Sequence, residues 1–125
     1  MKKIIATNKA PQAIGPYSQA VEYNNLIFCS GQIALDPESG KLVEGGIENE
    51  TKRVMENLKA VATVAGSGMD KVLKTTIYLT DLSNFQILNE IYGSYFTENP
   101  PARATVEVKS LPKGAQVEIE AVCFK

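Results

Sequence analysis

Pro100-Pro101 divides the C-terminal half of the chain into two kinds of periodicity. A proline pair fits neither a helix interior nor a central strand. Upstream, Phe85, Leu88, Ile91, Tyr92 and Tyr95 recur at helical spacing and mark the buried side of a helix that Pro100 ends. Downstream, alternation puts Ala104, Val106 and Val108 on one face of a strand and Arg103, Thr105 and Glu107 on the other. Arg103 therefore stands at the mouth of a strand, behind a rigid entry. A guanidinium so held can grip a carboxylate or phosphate bidentately. It can equally be a solvated surface charge.

The remaining elements follow from the same two periods. The stretch before Gly15-Pro16 reads as irregular. Ser18 to Tyr23 and Leu26 to Gln32 read as strands joined at Asn24-Asn25, a turn signal. Asp36-Pro37-Glu38-Ser39-Gly40 is a loop, and a short extra strand is possible between Ile33 and Val43. Ile47, Val54, Leu58, Val61 and Ala65 form the apolar stripe of a first helix, which Gly66 ends. Val72 to Thr80 is a strand, with Leu73, Ile77 and Leu79 on one face. Ser83-Asn84-Phe85-Gln86 fits a capping box and opens the second helix. Strands Arg103 to Lys109 and Gln116 to Phe124 complete the chain.

The order is β-β-α-β-α-β-β in one domain spanning residues 1–125. Right-handed crossovers place both helices on one face of a single mixed sheet, an α+β arrangement. In the last strand, Val117, Ile119, Ala121 and Cys123 face the helices, and Glu118, Glu120, Val122 and Phe124 face away. That second face mixes charge with apolar groups, so burial against another subunit is expected. Arg103 and Glu118 are expected together on this second face. The pair reads as an interface salt bridge or as a pocket between subunits, and periodicity leaves both open.

Composition narrows the chemistry. The chain has no histidine, which removes Ser-His-Asp and Cys-His catalysis and most catalytic zinc sites. Cys29 and Cys123 lie in apolar strands and read as buried thiols. Gly66-Ser67-Gly68 follows a helix instead of opening one, so it is no phosphate loop. With 13 basic and 14 acidic residues, no basic excess points to nucleic acid and no polybasic run to a membrane. Met1-Lys2-Lys3 lacks a following apolar segment, and the chain is read as cytoplasmic.

A further set of segments runs the length of the chain: Ala10-Pro11, Ala13-Ile14-Gly15-Pro16-Tyr17-Ser18-Gln19-Ala20, Ser30-Gly31-Gln32, Asn57-Leu58, Asn89-Glu90-Ile91-Tyr92, Pro101-Ala102-Arg103, Leu111-Pro112-Lys113-Gly114 and Val117-Glu118-Ile119-Glu120-Ala121. In this order and spacing the sequence resembles the Rid/YjgF family of reactive-intermediate deaminases. The resemblance implies a chorismate-mutase-like fold and a homotrimer whose sheets form a central barrel, with a pocket at each subunit boundary. It implies hydrolysis of 2-imino acids, such as 2-iminobutanoate and 2-iminopropanoate, to 2-keto acids and ammonia, with no metal or organic cofactor.

By the same resemblance Arg103 matches the carboxylate-binding arginine and Glu118 the carboxylate that positions water. Tyr17, Ser30 and Gly31 match pocket residues, and Asn89 matches a residue near the pocket. Thr105 stands where the family often has cysteine, a position that can act through its backbone. Glu50 stands where the family usually has glutamine. Each of these residues also has a plainer reading. Tyr17 packs a turn, Ser30-Gly31 ends a strand, Lys113-Gly114 is only a turn, and Glu120 shares Glu118's face and could position the water instead. A ligand-sensing or protein-binding trimer using the same pocket without turnover is the alternative function.

Overall fold

The central pairing of the sheet joins two strands far apart in the sequence, Leu26–Gln32 and Val117–Phe124. The computed structural model describes residues 1–125. Its elements are β1 (Lys3–Ile5), β2 (Ala20–Tyr23), β3 (Leu26–Gln32), α1 (Gly46–Val64), β4 (Val72–Leu79), α2 (Phe85–Ser94), β5 (Ala102–Glu107) and β6 (Val117–Phe124). They form one six-stranded sheet in the order β1-β2-β3-β6-β4-β5. Only β4 and β5 run parallel. The sheet of one chain is open, with β1 and β5 at its edges.

Local chemistry accounts for the turns. Asn24 and Asn25 both take positive φ, which the two-residue β2–β3 hairpin requires and asparagine tolerates. Helix α1 ends where Gly66 adopts φ 86° and its N–H reaches the Thr63 carbonyl, while the Ser67 N–H reaches that of Ala62. This double bond pattern closes the helix terminus.

Val54, Leu58 and Val61 of α1 are buried against Ile27 and Cys29 of β3, Ile77 and Leu79 of β4, and Val117, Ile119, Ala121 and Cys123 of β6. Leu88 and Tyr92 of α2 join the same core. Both helices thus cover one face, as alternation in β6 predicts. The opposite face carries Phe28 and Val106, both exposed, with Val122 and Phe124 half-buried beside them. No helix is long and apolar enough to cross a membrane.

Several expectations fail for local reasons. The N-terminal stretch contains β1, which pairs with β2 through backbone bonds that leave little side-chain pattern. The Ile33–Val43 segment forms only a single bridge, Leu35 to Leu42. A register shift between Val72 and Lys74 turns Leu73 out to solvent and leaves Thr75 buried beside Ile77 and Leu79. The second helix is approached through a short 3-10 turn, Leu82–Asn84, capped by Asp81, whose Oδ1 accepts the Ser83 N–H at 2.9 Å. The Ser83 capping box is not formed, and Phe85 lies outside the core.

Candidate functional site

The expected site residues fall into two separate groups. Parallel pairing sets Arg103 opposite Thr75 and Thr105 opposite Ile77. Arg103 and Thr105 therefore share the helix-covered face, and the expectation that Arg103 and Glu118 share the outer face is incorrect. The alternation in β5 is correct but its sidedness is reversed. β5 is an edge strand beyond the centre of the helical layer, so its inward residues remain free to be polar.

In the first group, the Arg103 Nη1 donates to Asn89 Oδ1 at 2.7 Å. Its guanidinium carbon lies 5.4 Å from the centroid of the Phe85 ring and 5.2 Å from that of Tyr92. The Tyr92 hydroxyl shares a 2.6 Å hydrogen bond with Thr75 Oγ1 in the core. The two ion pairs of the chain, Lys52–Glu48 and Lys125–Glu22, lie elsewhere, so no carboxylate engages Arg103. Asn89, Tyr92, Phe96, Pro101 and Arg103 line one open depression. Thr105 follows on the same face, half-buried, with its Oγ1 shielded from solvent and unpartnered.

In the second group, Tyr17, Gly31 and Glu118 line another concavity together with Gln12, Ile14 and Lys113. The β3–β6 register shifts between Cys29 and Gln32, so the ladder breaks at Ser30-Gly31. Glu118 packs onto this break. A Cβ at Gly31 would come 2.8 Å from Glu118 Oε2, so the glycine makes room for the carboxylate. Burial, and then the neighbouring Glu120, push the Glu118 carboxyl above its ordinary value. Glu120 is exposed, takes a 3.3 Å hydrogen bond from the Tyr78 hydroxyl, and does not line the concavity.

The loop carrying Tyr17 is fixed from inside. Gln19 is buried, donating to the carbonyls of Thr7 at 3.0 Å and Pro11 at 2.7 Å and accepting from the Thr7 N–H at 2.6 Å. Ser30 Oγ donates to the Ser18 carbonyl at 2.6 Å, and the Ser30 N–H bonds that of Gln19. Ser30 thus holds the loop, while Tyr17 is 52% exposed at its surface.

Lys113 and Phe85 are the residues that sequence reasoning undervalued. Lys113 takes φ 58° in a turn that brings it to the Glu118 concavity. Phe85 has the period of a core residue, yet it is exposed and meets the Arg103 guanidinium. Glu50, at the position where the family usually has glutamine, is buried, accepting from the Gln116 N–H at 2.8 Å and from its side-chain amide at 3.1 Å. It pins the entry to β6. Cys29 and Cys123 are free and buried under α1, outside both concavities. Contact with Cys123, and then burial, push the Cys29 thiol up. No group of three or more His, Cys, Asp or Glu side chains is arranged to hold a metal.

The two depressions have no lining residue in common. Arg103 is level with Thr75 of β4 and Glu118 with Tyr78, on opposite faces and on strands flanking β4. Three residues along a strand and two strand spacings are each about 10 Å. One small acid cannot touch both groups in a single chain.

The family model described as Endoribonuclease L-PSP matches residues 7–124. A RutC family protein of Pyrococcus abyssi is 51% identical over 124 residues, covering 99% of this chain and 98% of its own. A Mus musculus protein named 2-iminobutanoate/2-iminopropanoate deaminase is 49% identical over 125 residues, covering 100% of this chain and 93% of its own. The chain belongs to the YjgF/Rid family. The crystal structure of a Rid-family protein of unknown function from Yersinia pestis matches it with a TM-score of 0.98 at 48% identity, covering 100% of both chains. The α+β fold with two helices on one sheet is therefore that of the Rid family.

Proposed function

We propose that this Rid-family chain is a deaminase that hydrolyses 2-imino acids, such as 2-iminobutanoate and 2-iminopropanoate, to 2-keto acids and ammonia. The sites are completed between copies in a homotrimer. The naming of the mouse relative supports the reaction class. The observation that carries the reading is the separation of an unpaired guanidinium from a partly buried carboxylate on opposite faces of one sheet.

The Arg103 half of one copy set against the Glu118 half of the next makes a head-to-tail contact, which forms a ring where the rotation between copies closes. The uncovered apolar groups Phe28 and Val106 on the outer face favour such burial. Three copies is the ring the family resemblance implies.

In this assembly Arg103 takes the substrate carboxylate. The protonated imine carbon is already electrophilic, so water needs positioning more than strong activation. Glu118 holds the water and accepts its proton as the oxygen bonds to C2, giving a tetrahedral amino alcohol. Glu118 then returns that proton to the amino nitrogen, the C–N bond breaks with loss of ammonia, and the hydroxyl proton passes to the freed carboxylate as the C2 carbonyl forms. Water is the only co-reactant. A ligand sensor would need the Arg103 half alone and would leave the raised proton affinity of Glu118 without a use.

Complementation tests the reading. Arg103→Ala and Glu118→Gln, each strongly impaired alone, are mixed in equal amounts and reassembled. About one quarter of the boundaries then carry both native residues, and about one quarter of native turnover should return. Native turnover by either variant alone, or no recovery in mixed trimers shown to have formed, would sink the shared site. Light scattering should give about three times the 13.6 kDa chain mass.

A further inference from the structure

We propose that Phe85 and Tyr92 are positioning residues that clamp the Arg103 guanidinium and leave one edge of its fork free for a carboxylate. The proposal rests on the reading of Arg103 as the carboxylate site. Phe85, Asn89 and Tyr92 stand at i, i+4 and i+7 of α2 and so lie in one stripe along the helix. All three meet Arg103. The two rings approach its guanidinium carbon at 5.4 and 5.2 Å, within the roughly 6 Å range of cation–π attraction. Asn89 accepts from Nη1 at 2.7 Å.

Each wall of the clamp is itself held or free for a reason. Tyr92 is buried, hydrogen-bonded to Thr75, and packed on Phe96 with ring centroids 4.8 Å apart. Its ring has one orientation. Phe85 is 37% exposed at the first residue of α2, so core burial does not account for an aromatic there. The group it meets is the arginine.

Aromatic walls suit this task better than an acidic partner. An aspartate or glutamate would steady Arg103 by occupying the N–H groups that the ligand must use. A ring face attracts the cation through its quadrupole and forms no hydrogen bond with the N–H edge. With Nη1 held by Asn89, the Nε and Nη2 donors remain to grip a carboxylate side-on. Arg103 is thereby ordered before the ligand arrives, and binding loses less side-chain freedom.

The test uses the full-length protein with Phe85→Leu and Phe85→Tyr, read by calorimetry of 2-ketobutanoate binding and by NMR of the Arg103 Nε–H. In the ligand-free native protein the Nε–H resonance should be displaced by the ring currents of both walls, and Phe85→Leu should remove the Phe85 share and shift the resonance, leaving only that of Tyr92. Phe85→Leu should weaken 2-ketobutanoate binding about 3- to 30-fold and raise KM for the imine more than it lowers kcat. Phe85→Tyr should return both to within about twofold of native. Unchanged binding in Phe85→Leu, or failure of Phe85→Tyr to restore it, overturns the proposal. If the native protein binds no 2-ketobutanoate, the deaminase reading fails, and the clamp is then judged by the Nε–H resonance alone. An unchanged resonance in Phe85→Leu overturns it.

Discussion

The two half-sites solve opposite electrostatic problems. At the Arg103 half, a permanent cation sits on an edge strand in contact with solvent, and the fold supplies order: two rings and an amide fix a group that needs no help to stay charged. At the Glu118 half, a carboxylate sits on a central strand beside a break in the ladder, and the fold withdraws solvent from it. Order gives a grip. Desolvation gives a base with raised proton affinity. On the proposed deaminase reading, the contrast gives binding to one half and proton transfer to the other.

Glu118→Gln separates these roles with the largest expected effect. The amide keeps the shape of the carboxylate and loses its basicity, so imine turnover should fall by about 10²–10⁴-fold while 2-ketobutanoate still binds. The same substitution should raise the thermal midpoint at neutral pH. A folded-state carboxyl pKa above the unfolded value contributes stability at low pH that is lost as pH rises through the folded pKa, and glutamine removes that loss. Unchanged turnover would move the base to Glu120 or to water alone.

Arg103→Ala breaks the other half. Loss of a charged hydrogen-bonding group costs roughly 1.5–3 kcal/mol, so 2-ketobutanoate binding should weaken about 10- to 150-fold, with turnover falling alongside. Arg103→Lys should restore neither fully, because an ammonium cannot form the fork. The trimer should persist in light scattering. Dissociation would make Arg103 chiefly an interface ion.

Gly31→Ala tests whether the Glu118 half depends on close approach. A methyl group 2.8 Å from Oε2 must displace the carboxylate. Turnover should drop about tenfold through misplacement of the base, with 2-ketobutanoate binding little changed. Equal loss of binding and turnover would show that the two halves are not separable.

A smaller effect should appear in the pH profile. If Glu118 is the proposed base it must be ionised, so turnover should fall as pH drops through its raised pKa, above the ordinary 4.5. Burial is the larger cause of that shift and Glu120 the lesser. Glu120→Gln removes a like charge, lowers the Glu118 pKa, and should move the acid limb of kcat/KM to lower pH by less than about one unit. Movement to higher pH would contradict the assignment.

The sequence made the β6 face legible because β6 is central: burial on one side forced Val117, Ile119, Ala121 and Cys123 into strict alternation. It misled at β5 because an edge strand is only partly covered. There the apolar residues Ala104 and Val106 point to the outer face and the polar ones to the helices, so hydrophobicity gave the period but the wrong side. Phe85 misled in the same way, its helical phase being consistent with the core until the ring proved to meet Arg103. The motif residues were legible as a set, but their division between two faces depends on the parallel register of β4 and β5, which no local pattern encodes.

Thr105 gives the smallest effect and the closest look at where the halves join. Its hydroxyl is shielded and unpartnered in the single chain, on the face that carries Arg103. A buried hydroxyl without a partner costs about 1–3 kcal/mol, and valine has nearly the same shape without that group. If the hydroxyl stays unpartnered throughout, Thr105→Val should raise the thermal midpoint and leave 2-ketobutanoate binding unchanged. If the ligand or the adjoining copy supplies the partner, Thr105→Val should weaken ligand binding or trimer assembly by a few-fold, about the worth of one neutral hydrogen bond. Thr105 stands two residues beyond Arg103, on the flank where a second copy would bring Glu118, so the second outcome is expected. A more stable variant with native binding and native assembly would place Thr105 outside the site and confine the Arg103 half to the guanidinium, its clamp and Asn89.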